Sequence, residues 1–293
     1  MNEPLILDGK KVAEELYSKL PNMNGKELSI ITIGDDEASK VYVRNKIKAC
    51  ERVGLKGVNY RLREDVRIEE IICLIEEKNL DDNVVGIMIQ KPYPERLNMH
   101  YMEDFILFQK DVDGLCKYNM FKTLSGKLNT KDWLGNEPIH YPATPKGIIT
   151  LLDYYNIPIE GKNIVIIGRS DIVGKPLAAM MTARDATVTL CHSKTKNLRE
   201  SLIHADIIIS AIGKPKYIDK DFLSNFHFEN FIGEKSSDKP IIIDVGINRD
   251  ENGKLCGDVD FDDVLPYVSA ITPVPGGVGP MTVYSLISNC CHE

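Results

Sequence analysis

The chain predicts an α/β protein made of two α/β units in tandem, and three observations carry that prediction. Short β-branched runs alternate with longer amphipathic stretches, the pattern of parallel strands covered by helices. The alternation occurs in two series, separated by SGKLNTKDWLGNEPIHYPATP at 125–145, which has two Gly, three Pro and little periodicity and reads as a domain junction. The length of 293 residues agrees, since a domain takes roughly 100–200 residues.

In the first series, ELSIITIG at 27–34 predicts a strand and 37–53 a helix. VNYRLR at 58–63 predicts a strand, 66–79 a helix, and NVVGIMIQ at 83–90 a strand that stops before Pro92. The second series places strands at 163–168, 187–192, 206–213 and 240–247, with helical stretches between the first three. Residues 224–239 are polar and read as a loop-like excursion, and no internal repeat is visible.

Charge and composition exclude several classes. With 36 Lys+Arg against 43 Asp+Glu the net charge is −7, a poor basis for holding nucleic acid phosphates. Uninterrupted apolar runs such as 164–167 and 207–209 fall far short of the ~20 residues that span a bilayer. The segment MNEPLILDGKK lacks the apolar core of a secretory signal, so a cytosolic protein is expected. Seven scattered cysteines with neither C-x-x-C spacing nor neighbouring His pairs predict reduced thiols, with no disulfide frame and no metal site.

The strand at 163–168 runs into Gly168, Arg169, Ser170, Asp171, Ile172, Val173 and Gly174 and then a helix. A strand ending in Gly that feeds a helix offers backbone N–H groups and the positive helix end to an anion. The spelling departs from G-x-G-x-x-G, so a dinucleotide site stands beside the alternative of a tight turn without ligand. In dinucleotide folds that prefer NAD, an acid ends the second strand. Here the region reads Cys191, His192, Ser193, Lys194, Thr195, Lys196, with no acid, which favours NADP. Arg169 and the Ser193 hydroxyl suit a 2′-phosphate; Lys194 and Lys196 also read as solvated loop charges.

On the helix at 37–53, Ser39, Tyr42 and Lys46 stand at i, i+3 and i+7 and share one face, bordering the apolar stripe of Val43, Ile47 and Cys50. Desolvation there lowers a lysine pKa and makes it a usable acid/base; the other reading is amphipathic surface packing. Gln90 closes its strand at the C-terminal end, where parallel sheets hold ligands. Asp111 and Asp113 follow in DVDG, and TPVPGGVGPMT at 272–282 is a loop whose glycines let backbone approach a flat ligand.

ASKVYVRNK (38–46), GIMIQKPYP (86–94), KDVDG (110–114), GRSDIVGKP (168–176), ATVTLCHSKT (186–195), IIDVGIN (242–248), GDVDF (257–261) and TPVPGGVGPMT, in that order, resemble the motifs of the bifunctional methylenetetrahydrofolate dehydrogenase/methenyltetrahydrofolate cyclohydrolase family. The resemblance spans nearly the whole chain. It implies oxidation of 5,10-methylene-tetrahydrofolate with NADP, followed by hydrolysis of the methenyl product to 10-formyl-tetrahydrofolate. By position it assigns Lys46 as acid/base, Tyr42 to stack on the aminobenzoyl ring, Gln90 to hold Lys46 in register and Asp113 to anchor the pterin. Pro275, Gly276 and Gly277 line the folate site; Gly168, Arg169, Ser170, Ser193 and Ile247 hold the dinucleotide. The implied organisation is a folate-binding catalytic domain of residues 1–140 plus 280–293, a Rossmann-like NADP-binding domain of residues 141–279, a cleft between them, and a homodimer.

Three departures stand out. Lys91 replaces the Leu usual after Gln90, a second cation expected to lower the Lys46 pKa or to attract the folate glutamate tail, the alternative being a side chain in solvent. Ala143 stands where the family often has Cys. Phe121 stands where Gly is common, predicting a differently shaped loop. The competing functions are a dehydrogenase with weak or absent cyclohydrolase activity, a silent folate- or dinucleotide-binding protein, and an unrelated α/β dehydrogenase; the last would have no reason to carry both ASKVYVRNK and TPVPGGVGPMT.

Overall fold

The computed structural model describes residues 3–97, 102–125, 139–224 and 239–291. Residues 125–140 of the domain junction and the loop-like excursion at 224–239 lie outside the described residues except at their ends. In chain order the elements are β1 (Leu5–Ile6), α1 (Gly9–Tyr17), β2 (Glu27–Ile33), α2 (Glu37–Glu51), β3 (Lys56–Leu62), α3 (Ile68–Leu80), β4 (Val84–Ile89), α4 (Lys117–Leu124) and α5 (Ala143–Tyr154). There follow β5 (Asn163–Ile167), α6 (Gly174–Thr182), β6 (Thr187–Cys191), α7 (Leu198–Leu202), β7 (Ile207–Ser210), α8 (Lys220–Ser224) and β8 (Ile241–Asp244). The chain ends with β9 (Asn248–Arg249), β10 (Leu255–Cys256), α9 (Phe261–Val264), β11 (Ala270–Ile271) and α10 (Val278–Cys290). No helix among the described residues is long and apolar enough to cross a membrane.

Contacts divide the chain into two units. One contains Glu14–Ser125, the stretch ending at Ala143, and the chain from Val283; the other contains the chain up to Ala13 together with Thr144–Thr282. The first unit holds a three-stranded parallel sheet in the order β3-β2-β4. Its central strand is buried from Leu28 to Ile33, as expected of a parallel strand covered on both faces, with Ser29 and Thr32 the polar members of the run. Ile31, Ile71, Ile75 and Ile87 are fully buried between this sheet and its helices. Each contributes about 1.5–3 kcal/mol relative to an exposed side chain. The last helix closes the unit: the buried Asn289 donates through Nδ2 to the carbonyls of Val112 (2.9 Å) and Tyr141 (3.1 Å).

The second unit holds a six-stranded parallel sheet in the order β1-β11-β8-β7-β5-β6. Its first strand corrects the sequence reading, which joined the N-terminal residues to the first domain. Leu5 and Ile6 pair in parallel with Ala270 and Ile271. Two residues are too few to show alternation, so the pairing had no sequence signature. Both sheets have a switch point, where successive connections leave on opposite sides of a central strand and open a crevice at the strand ends. In the first unit the central strand is β2, between β3 and β4; in the second it is β5, between β6 and β7.

Candidate active site

The residues singled out in the first unit converge at its switch point. Asp36 caps α2, its carboxylate accepting from the Ser39 amide (2.7 Å). This fixes the start of the helix that carries Ser39, Tyr42 and Lys46. Across the crevice, Gln90 follows β4 and is held by its amide donating to the Ile31 carbonyl (2.8 Å). Lys46 Nζ donates to Gln90 Oε1 at 2.9 Å and lies 3.4 Å from Met88 Sδ. Gln90 is buried, and its Nε2 donates to the Lys91 carbonyl at 2.6 Å, which leaves Oε1 turned to the lysine. Ser39 Oγ donates to that same carbonyl, at 3.5 Å. Burial pushes the Lys46 ammonium below the usual lysine range, with the negative charge of Asp113 pulling the other way.

The helix stripe therefore borders the core as its spacing implies, with Ser39, Val43 and Cys50 buried and Tyr42 and Lys46 half-buried. Met88 is a partner that sequence reasoning missed. It stands two residues before Gln90, so the period-2 alternation of a strand puts both on one face and was the available signal.

Two neighbouring acids have different fates. Asp111 is buried and accepts from the amides of Gly114 (3.1 Å) and Cys116 (2.8 Å) and from Asn119 Nδ2 (2.9 Å), organising the turn that presents Asp113. Burial pushes its carboxyl up. Asp113 stays half-buried and is the acid whose charge reaches Lys46.

The sequence reading leaves Lys91 three roles: lowering the Lys46 pKa, attracting the folate glutamate tail, or facing solvent. The Lys91 ammonium sits 3.2 Å from the carboxylate of Glu103, which is buried on a 3-10 turn at Glu103–Phe105 and also accepts from the Tyr93 hydroxyl at 3.1 Å. Burial and the Glu103 charge both push the Tyr93 phenol upward, keeping it protonated as the donor. Nothing in sequence spacing marks this pair. Replacing either partner alone leaves a charge without its counterion in a poorly solvated place. The Lys91 side chain is 34% exposed, which places the cost of Lys91→Leu at about 2 kcal/mol rather than the ~3–5 of a fully buried pair. The double variant Lys91→Leu/Glu103→Leu is expected to recover most of it, and a denaturant double-mutant cycle without coupling would refute the pairing's energetic role. Phe121 sits on helix α4, 66% exposed.

In the second unit, β5 delivers Gly168 to its switch point. The Gly168 amide donates to the Cys191 carbonyl (2.9 Å), and the Ala211 amide to the Ile167 carbonyl (2.8 Å). Gly168 has φ +134°, and a Cβ there would strike the Ala211 carbonyl oxygen, so only glycine fits. A Cβ at Gly174 would strike the Gly168 carbonyl oxygen. Gly174 thus does the work of the glycine that lets helix and strand pack closely, displaced along the sequence from its usual spelling. Ser170 Oγ accepts from the Val173 amide (3.2 Å), folding the loop beneath the start of α6. Arg169, Ser170 and Ser193 are exposed here. The turn bearing Ser193 is fixed by His192, whose amide donates to Thr195 Oγ1 (2.8 Å) and whose Nδ1 accepts from the Lys194 amide (3.1 Å).

Ile247 follows β8 with 47% of its surface exposed, unusual for isoleucine at a strand end. Gly276 and Gly277 lie before α10. Gly276 has φ +116° and its carbonyl accepts from the Lys10 amide (2.9 Å), while the Gly277 amide donates to the Pro273 carbonyl (2.8 Å). A cavity of this unit, lined by Asn197, Arg199, Tyr217, Asp219 and Phe222 among others, contains none of the residues the sequence singled out.

Two family descriptions match: the catalytic domain of tetrahydrofolate dehydrogenase/cyclohydrolase over residues 7–113, and its NAD(P)-binding domain over residues 142–293. The chain belongs to the tetrahydrofolate dehydrogenase/cyclohydrolase family. It is 44% identical to the bifunctional protein FolD of Agathobacter rectalis, with 97% of each chain covered. Against the FolD protein of Listeria innocua the identity is 42%, covering 97% of this chain and 95% of the relative. Among solved structures it resembles the FolD methylenetetrahydrofolate dehydrogenase/cyclohydrolase of Campylobacter jejuni, with a TM-score of 0.84 and 39% identity over 98% and 96% of the two chains. The Trypanosoma brucei enzyme, solved in complex with NADP and an inhibitor, gives a TM-score of 0.84 at 29% identity over 99% and 97%. Membership of the tetrahydrofolate dehydrogenase/cyclohydrolase family brings the Lys46–Gln90 pair and the Gly168–Gly174 loop into one enzyme.

Proposed function

We propose that the chain oxidises 5,10-methylene-tetrahydrofolate to the methenyl form with NADP and then hydrolyses that product to 10-formyl-tetrahydrofolate. The observation that carries the reading is the Lys46 amine, desolvated and held 2.9 Å from Gln90 Oε1 at the strand ends. The methenyl group is cationic, so an ammonium beside it repels it. A neutral amine instead takes one proton of the water that attacks the methenyl carbon and returns it to the ring nitrogen as the carbon–nitrogen bond breaks, the water's second proton leaving to solvent as the formyl C=O forms. Gln90 fixes the amine, Asp113 anchors the pterin, and Tyr42 stacks on the aminobenzoyl ring. Pro275, Gly276 and Gly277 line the folate site.

When bound, NADP accepts the hydride that leaves the methylene carbon. The glycine cradle and the helix start fit a pyrophosphate, the exposed Arg169 guanidinium and Ser193 hydroxyl fit a 2′-phosphate, and Ser170 and Ile247 complete the contact. The absence of an acid from 191–196 supports NADP over NAD. A weak hydration step loses one of its motives, because Lys91 is engaged by Glu103. A homodimer and a cytosolic location belong to the same proposal; the first is supported by the family resemblance, the second by the unbridged thiols of Cys50, Cys73, Cys116, Cys191 and Cys256.

Purified protein given methylene-tetrahydrofolate with NADP, and separately with NAD, tests the reading optically. Faster reduction of NADP without build-up of the methenyl compound is expected. Persistent methenyl compound overturns the hydrolytic half; no reduction with either dinucleotide overturns the enzyme reading.

A further inference from the structure

The motifs IIDVGIN and GDVDF are built around each other in the second unit. The Asp244 carboxylate, at the end of β8, accepts from the amides of Gly246 (2.9 Å), Asp258 (3.0 Å) and Val259 (2.9 Å). Asp258 is fully buried, and five donors converge on its carboxylate: the Ser210 hydroxyl (3.1 Å), the amides of Ile212 (2.6 Å), Gly213 (3.2 Å) and Lys214 (2.9 Å), and Asn248 Nδ2 (2.9 Å). A Cβ at Gly246 would strike the Asp258 carboxylate, and one at Gly257 that of Asp244. Each motif therefore carries a glycine to make room for the other's aspartate.

The donors to Asp258 come from two segments leaving the C-terminal end of the sheet. Residues 212–214 follow β7 and continue from Ala211, against whose carbonyl Gly168 packs. Gly246 and Asn248 flank Ile247, the exposed apolar residue after β8. With two oxygens meeting five donors, the carboxylate has one orientation and ties both segments to it.

We propose that Asp258 is a positioning residue for the dinucleotide: its carboxylate fixes the 212–214 loop and the 246–248 turn, so that the cofactor meets backbone and Ile247 already in place. This rests on reading the unit as NADP-binding. Asp258→Asn keeps the side chain's size but turns an NH₂ toward N–H donors, while Asn248→Ala removes one anchor and leaves the carboxylate intact. Calorimetric titration of the full chain with NADP, beside hydration of methenyl-tetrahydrofolate without dinucleotide, tests the proposal. Asp258→Asn is expected to raise the NADP Kd about 10-fold or more and Asn248→Ala about 3-fold, each keeping hydration within about 2-fold of the parent. If Asp258→Asn does not fold, Asn248→Ala decides alone. Unchanged Kd values, or hydration falling in step with binding, would overturn the positioning role. A parent chain that binds no NADP would instead overturn the reading on which it rests.

Discussion

Replacing Lys46 by Met abolishes hydration of methenyl-tetrahydrofolate, by about 10³-fold or more, and leaves NADP reduction measurable. The loss follows from removal of the group assigned to take the water's proton, a role typically worth about 10²–10⁴-fold. Met fills a similar volume, and the neighbouring Met88 thioether, which accepts from Nζ at 3.4 Å, is a soft side chain that packs against an apolar replacement. Stability separates this outcome from misfolding. Burial depresses the folded pKa of Lys46, so between that value and the unfolded one the unfolded chain binds more protons and stability rises with pH. At neutral pH the desolvation of the Lys46 side chain is a cost that Met removes, and the variant's Tm is expected to match or exceed the parent's. The parent's hydration rate should rise with pH through a group titrating below the usual lysine range. In Asp113→Asn, which removes the charge opposing that shift, this limb moves to lower pH. Full hydration by Lys46→Met would remove Lys46 from its role, and an Asp113→Asn limb at unchanged pH would uncouple the two residues.

The legibility of this site had physical limits. Lys46 and Gln90 were readable because both lie on regular elements: a 3.6-residue period puts Ser39, Tyr42 and Lys46 on one helix face, and a parallel strand's end is where its ligands sit. Glu103 was not readable, since Lys91 meets it through a turn that follows no period. The interlock of Asp244 and Asp258 joins segments whose partners are set by the sheet order β8-β7-β5, which appears only after folding. Its trace in the sequence was the pair of glycines, Gly246 and Gly257, whose reason is the opposing carboxylate. In the same way β1 and β11, two residues each, carry no alternation, and the N-terminal segment was assigned to the wrong unit.

Gly174→Ala is expected to weaken NADP binding by about 100-fold or more while hydration of methenyl-tetrahydrofolate stays within about 2-fold of the parent, since Lys46 and Gln90 belong to the other unit. The added methyl group meets backbone: the Gly168 carbonyl oxygen, its carbon at 2.7 Å and the Arg169 Cα at 3.0 Å. A flexible side chain would swing aside, but a carbonyl already tied into the β5 exit moves only with its strand. Relief therefore displaces Gly168, Arg169 and Ser170 together, the residues assigned to the pyrophosphate and the 2′-phosphate, and overpacking of this kind also costs about 1–3 kcal/mol in stability. Gly161→Ala serves as the control. Gly161 has φ +70° with nothing within 4 Å of a Cβ, so its substitution adds backbone strain of about 1–2 kcal/mol without a collision. If the two variants lose stability alike but only Gly174→Ala loses NADP, close approach at the helix start is what the cofactor requires. If Gly174→Ala binds NADP as the parent does, the dinucleotide does not sit on this loop, and Arg169 and Ser170 lose their assignment with it.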